Sequence, residues 1–579
     1  MDIYTTAIAV SILIYIAIGN YAGRGVKKLD DYFVAGRRAP SILIIGTLVA
    51  SVLSSTIFLG EVGFAYEGQA GPYMAWPQYA TGGYIVGALF FGRYLRRSRA
   101  TTVAEFFGER FNSRRVQSFA GVTIILALGG YLLAVTWGAA VLLSELTALS
   151  YHQAIIVAWI SYTGFTMYSG SRGVVITDTL MFLVFTVASI AAIYYLVDLA
   201  GGMPAAIEDL AKVEGKEDLM SWHGIIGPGT EWPTAMDYLW WTLILDTAWA
   251  VLYIVGPWQS SRHLMAKNEH VVLRAACYAC LFLAALQFMI YGTGGIINLS
   301  NPNIENSDTA MIWTALNVLP EVLGALMLAG IVAAVLSSAS TFLSLVGFSA
   351  SNDIVERKFV DDKSSIRFSR LMMLGVGFIT LIAALIFPRN IFWFTMFVAT
   401  VFASSWGAVA LMSIWSKTIT EAGAFWGMVS GFFGNVIPKL FDHLGYIDLP
   451  SYMDPILIGV VISLIVTIIV SRNTTVTPEE EAYRVKLHER PEEELDPGRL
   501  KLTLLAPAVL IINGLTMPFI MIKYYVIPFQ RAHDMLMPDG SINWATGEAV
   551  VALSWAVVWI GLGLLARHTI KKHYSPAKA

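Results

Sequence analysis

The apolar residues of this chain fall in runs too long for a buried strand or an amphipathic surface helix. About 20 apolar residues at 1.5 Å rise each cross roughly 30 Å of hydrocarbon. Runs of that order recur near 3–22, 40–62, 72–95, 117–147, 152–170, 173–199, 237–258, 272–298, 318–349, 366–388, 391–415, 421–441, 454–472, 501–527 and 546–570. The pattern predicts an all-α integral membrane protein of about fifteen spans. The first run has no basic flank and no small-residue cleavage site, so it reads as a retained span rather than a removable signal.

The polar loops then set orientation. Basic residues gather in alternate loops: Arg24, Lys27, Lys28, Arg37 and Arg38; Arg93, Arg96, Arg97, Arg99, Arg110, Arg114 and Arg115; Arg262, Lys267 and Arg274; Arg357, Lys358, Lys363, Arg367 and Arg370. The loops between them, such as 200–236 and 299–317, are acidic or neutral. The positive-inside rule places the N-terminus outside and, for an odd number of spans, the C-terminus inside. The tail residues Arg567, Lys571, Lys572 and Lys578 agree. Segment 473–500, with mixed charge and prolines, reads as a partly helical cytoplasmic linker, and 200–236 as an outer loop able to fold over a solute entrance.

Composition narrows the class. The chain is 56% hydrophobic and 14% charged, with a mean hydropathy of +0.63. Soluble domains carry about 25% charged residues, so an aqueous globular core is excluded. No basic face invites nucleic acid. Cys277 and Cys280 sit in an apolar stretch, which suits packing rather than metal or redox work. Gly292 to Gly295 suit close helix contact. The soluble-enzyme motifs H-E-x-x-H and G-x-S-x-G are missing, and no Walker loop supports ATP-driven transport.

Polar residues inside spans mark the candidate chemistry. Ser51, Ser54, Ser55 and Thr56 precede Gly60 in one span. Either this helix unwinds and offers carbonyl oxygens to a hard cation, or the hydroxyls bond back to their own helix. Ser337, Ser338, Ser340 and Thr341 form a second hydroxyl run, open to an ion-ligand or a helix-packing reading. Asp178 is a carboxylate within a span and needs a cation or hydrogen bonds to offset its burial. Asp246 and Glu61 are also acidic in or near spans, and Glu61 is expected at a wet outer mouth.

Taken together, the motifs resemble the sodium/solute symporter family, in pattern nearest the bacterial sodium/proline symporters. The motifs are Asp30-Asp31-Tyr32 with Gly36 and Arg37; Ala333 to Ser338; Thr177-Asp178; and Trp249, Tyr253, Pro257 and Arg262. The resemblance covers residues 1 to about 475. It implies a leucine-transporter-like inverted repeat of five plus five helices, with one extra N-terminal helix and about four extra C-terminal helices. The expected divisions are an N-terminal span and loop at 1–39, a first repeat at 40–199, the outer loop 200–236 and a second repeat at 237–415. Two further spans follow at 416–472, then the linker 473–500 and two last spans within 501–579.

The resemblance also implies ligands. A conserved Na+ site falls on Ala50, Leu53, Ala334, Ser337 and Ser338. Some members hold a second sodium, which here maps to Asp178, Ser337, Ser340 and Thr341. The solute positions map to Ser54, Thr56, Tyr131, Trp249, Tyr253 and Pro257. Where proline symporters carry an aspartate and a tryptophan in the first core helix, this chain has Val52 and Thr56. The expected function is sodium-coupled symport of a small organic solute by alternating access across the inner (plasma) membrane, without enzymatic chemistry. A proline-like amino acid is the first expectation for the solute; a monocarboxylate or sugar is the alternative, and a membrane solute sensor is another. The expected partners are solute, sodium ions and lipid, with no nucleic acid and no obligate protein partner.

Overall fold

The computed structural model describes residues 2–355 and 361–575. Arg357, Lys358 and Lys578 of the charge argument lie outside the described residues. The described chain is helical throughout, apart from a single bridge between Ala39 and Ala266. Eleven helices among the described residues are long and apolar enough to span a bilayer. That number treats Tyr151–Leu199 as one helix, although the predicted spans 152–170 and 173–199 meet at a sharp kink inside it. The kink is Gly170, at φ 52° and ψ −154°. A Cβ there would lie 2.6 Å from Tyr32, so both backbone and space require glycine.

Two helices are interrupted in mid-span. The first runs Ser41–Ala50, unwinds over residues 51–54, and resumes as a π-helical stretch at Thr56–Glu61. The second runs Ala235–Val255, breaks at Gly256, and restarts as Pro257–Met265. Proline suits the first position of a restarting helix, where no intrahelical N–H bond is lost. Each broken helix opens a set of five helices, and the second set ends with Ile391–Trp415.

Helix Glu321–Phe348 forms the axis of the bundle. It packs on Tyr151–Leu199, on the N-terminal helix Ile3–Gly23 and on Arg114–Leu146. Small residues allow the approach: a Cβ on Gly330 would lie 3.0 Å from the Ala188 methyl. Gly294 likewise sits where a Cβ would meet the Val62 carbonyl at 2.8 Å, as expected for the glycine cluster. Cys277 and Cys280 are buried free thiols.

The two last helices, Leu505–Met521 and Gly547–Tyr574, pair with each other and lean on Glu269–Ile296. The segment 473–500 is partly helical (Pro478–His488) and is clamped to the bundle. Arg110 donates to the Glu480 carbonyl at 3.0 Å and Arg97 to the Leu487 carbonyl at 2.9 Å. The 200–236 segment also lies against the bundle. Gln69 donates to the Ile225 carbonyl at 2.9 Å, and Trp76 to that of Trp222 at 3.1 Å.

Candidate functional site

The unwound residues 51–54 face the axial helix across its hydroxyl run. Ser337 Oγ lies 2.9 Å from the carbonyl oxygens of both Ala50 and Ala334. Ser338 Oγ lies 3.4 Å from the carbonyls of Ala50 and Ser51. Leu53 sits on the same unwound turn. All these residues are buried. The hydroxyls of Ser337 and Ser338 thus meet backbone carbonyls of the first broken helix, whereas the Ser51, Ser54 and Ser55 hydroxyls bond elsewhere. Rotating the serine hydroxyls would turn their lone pairs, beside the carbonyls, toward a common point, which is the donor chemistry of a hard monovalent cation.

A second polar knot lies alongside. Asp178 Oδ2 accepts from Thr47 Oγ1 at 2.6 Å and from Thr341 Oγ1 at 3.4 Å. Arg262 Nη2 lies 3.5 Å from the same oxygen and donates to Thr341 Oγ1 at 2.6 Å, while its Nε donates to Thr47 Oγ1 at 3.0 Å. Arg262 is thus not a loop residue, as the charge pattern suggests. The helix restart at Pro257 carries it back into the bundle, where it is fully buried. Ser340 turns away and donates to the Ser337 carbonyl at 3.0 Å.

Between the two broken helices is a cavity. Val52, Ile57 and Glu61 line it from the first, and Trp241, Asp246, Trp249 and Tyr253 from the second. Tyr131 and Gln287 contribute from neighbouring helices. Tyr131, Trp249 and Tyr253, three of the residues expected around a solute, thus line one cavity. Ser54 and Thr56 lie behind them: their hydroxyls are 2.6 Å apart, and Thr56 reaches the Tyr131 hydroxyl at 3.3 Å. Pro257 starts the lower half of the second broken helix and is not among the lining residues.

Glu61 departs from expectation. It is 5% exposed and accepts a hydrogen bond from Tyr291, so it belongs to the buried cavity wall and not to a wet mouth. Its helix continues past Glu61 to Gln69, so the residue does not sit at a helix end. Sequence reasoning noticed Asp246 but gave it no place in the site, and it missed Trp241 and Gln287. The signal was present: Thr242, Asp246, Trp249 and Tyr253 recur at steps of four, three and four, one stripe of a helix.

The model of the sodium:solute symporter family matches residues 32–431. The sodium/pantothenate symporter of Escherichia coli is 22% identical over 69% of this chain and 80% of its own length. The sodium/glucose cotransporter 1 of Oryctolagus cuniculus is 24% identical over 85% and 82%, and the sodium/proline symporter of Escherichia coli 22% over 78% and 91%. A solved Na+-coupled sialic acid symporter in a substrate-bound outward-open state superposes with a TM-score of 0.70 at 16% identity, over 83% of this chain and 99% of that one. The fold is thus that of the five-plus-five sodium-coupled carriers. The chain belongs to the sodium:solute symporter family, a multi-pass membrane carrier with sodium as coupling ion and not an enzyme.

Proposed function

We propose that this chain couples the entry of one Na+ to the uptake of a small amine-bearing solute by alternating access, with its N-terminus outside and its C-terminus in the cytoplasm. The observation that carries the ion assignment is the bifurcated contact of Ser337 Oγ with the Ala50 and Ala334 carbonyls, 2.9 Å each. In this reading Ala50, Leu53, Ala334, Ser337 and Ser338 ligate the ion. It ties the first broken helix to the axial helix and so steadies the upper wall of the solute cavity. When the ion leaves toward the cytoplasm that tie is lost, and the two helices can part.

The second sodium position, Asp178 with Ser337, Ser340 and Thr341, is proposed to be served by Arg262. Its guanidinium already answers the Asp178 charge and the Thr341 hydroxyl, so a second Na+ would have to displace it. The solute is proposed to sit among Tyr131, Trp249 and Tyr253, with Ser54 and Thr56 bracing Tyr131 and Pro257 fixing the break beside them. Of the expected solutes only a proline-like amino acid carries an amine, but it brings a carboxylate as well, and the lining residues include no Lys, Arg or His to hold one; a monocarboxylate or a sugar lacks the amine.

The test is the melting midpoint of purified protein in sodium chloride against potassium chloride at equal ionic strength. A ligand at 100 times its Kd stabilises by about 2.7 kcal/mol, so sodium should raise the midpoint and potassium should not. Equal midpoints in the two salts would sink the ion-site assignment.

A further inference from the structure

We propose that the cargo is an organic cation of net positive charge, such as an amino alcohol, a diamine or a quaternary ammonium, held between Asp246, Glu61 and the Gln287 carbonyl oxygen inside the aromatic cavity. The inference rests on the symport reading and sharpens it to a substrate class.

The hydrogen-bond chain fixes the polarity of the cavity wall. Tyr291 spends its only proton on Glu61, so its oxygen can take part with Gln287 only as an acceptor. Gln287 Nε2 supplies that bond at 3.2 Å. The Gln287 amide is thereby locked with Oε1 free, and this buried oxygen has no partner among the described residues. Asp246 Oδ2, which lines the same cavity from the second broken helix, also has no partner among the described residues. Buried acceptors without donors are costly and uncommon. A ligand that donates N–H, or that presents a positive charge, would satisfy both.

The surroundings select the kind of cation. A bare sodium ion wants several oxygens closing around it. This cavity instead offers the indole and phenol rings of Trp241, Trp249, Tyr131 and Tyr253 beside its carboxyl groups. Aromatic faces attract ammonium groups and cover the apolar body of an organic cation. A zwitterion or carboxylate would bring a negative group into a cavity that already holds two carboxylates and no basic lining residue. Val52 stands at the first-helix aspartate position, and Glu61 and Asp246 bring carboxyl groups to the cavity from other turns.

The experiment uses full-length protein in proteoliposomes with an inward sodium gradient and the membrane potential clamped at zero. Labelled choline, ethanolamine and putrescine are compared with L-proline, L-lactate and D-glucose. The proposal expects at least one amine to accumulate tenfold or more above protein-free vesicles. Asp246→Asn and Gln287→Leu should each cut that uptake at least tenfold while keeping the sodium-induced rise in melting midpoint and the size-exclusion profile. Failure of every amine to exceed protein-free vesicles overturns the proposal. So does an amine uptake that both variants, shown to be folded, leave unchanged. Sodium-dependent accumulation of proline, lactate or glucose with no amine uptake overturns the cation cargo and leaves symport standing. Amine uptake of the same size when potassium replaces sodium keeps the cation cargo and overturns the coupling.

Discussion

Arg262 and Asp178 are a buried pair, 3.5 Å apart at Nη2 and Oδ2 and each 1% or less exposed in its side chain. They join the lower half of the second broken helix to the helix that carries Asp178, and both share hydroxyls with Thr47 and Thr341. Removing one member of such a pair strands the other charge and costs about 3–5 kcal/mol. Arg262→Ala should therefore lower stability by that order in chemical denaturation. Adding Asp178→Asn to it should restore most of the loss. If the double variant is no more stable than the single, the two residues do not act as a pair.

The same pair sets the expected ion count. With Arg262 in place, sodium activation of transport should follow a Hill coefficient near 1. A value near 2 for the native chain would mean that Arg262 yields to a second ion. In that case the cation at Asp178 is sodium for part of the cycle.

Ser337 and Ser338 should not contribute equally. Ser337 Oγ contacts two carbonyls at 2.9 Å, whereas the Ser338 contacts are 3.4 Å long. A hydrogen-bond-scale loss of about 1.4 kcal/mol is tenfold in affinity. Ser337→Ala should raise the half-saturating sodium concentration by about tenfold, and Ser338→Ala by less. Sodium titrations of thermal stability in each variant decide the order.

Much of this was legible in the sequence and some was not. Run length alone marked the helices, because a bilayer imposes one length scale on every span. The hydroxyl clusters at Ser51–Thr56 and Ser337–Thr341 were visible as anomalies inside apolar runs. That Ser337 and Ser338 meet the Ala50 and Ser51 carbonyls across the bundle is a tertiary fact, and only the family resemblance pointed to it. The charge pattern put Arg262 in a loop, whereas the family motif put it on the sixth core helix; the helix restart at Pro257 carries it into the buried interior. Glu61 and Gln287 were hard to place because each matters through Tyr291, a residue remote from Glu61 in sequence. The linker 473–500 read as polar chain, yet its backbone carbonyls are ligands for buried arginines, a role that composition does not reveal.

That linker should behave as part of the fold. Arg110 and Arg97 anchor it at the Glu480 and Leu487 carbonyls, and Glu269 bonds Arg97 at 2.5 and 2.8 Å. The backbone N–H groups of residues 482–488 should exchange slowly with deuterium. Exchange as fast as that of an unstructured peptide would show that the clamp does not hold in solution.

A cationic cargo changes the driving force. Each elementary charge gains about 2.3 kcal/mol per 100 mV, so one Na+ with one monovalent cation gains about 4.6. Uptake currents in planar bilayers should then reverse at a potential set by two charges per cargo. A ratio of one charge per cargo would point to an uncharged solute.

The most direct test of the central claim needs no knowledge of the cargo. It is a sodium titration of intrinsic tryptophan fluorescence in the native protein and in a Ser337→Ala/Ser338→Ala variant, with potassium as control. The tryptophans Trp241 and Trp249 of the second broken helix line the same cavity as Val52, Ile57 and Glu61 of the first, the helix that the ion is proposed to steady. The native protein should give a saturable, sodium-specific change, and the variant should need at least tenfold more sodium for the same change. The same response in both proteins would contradict the sodium site described here.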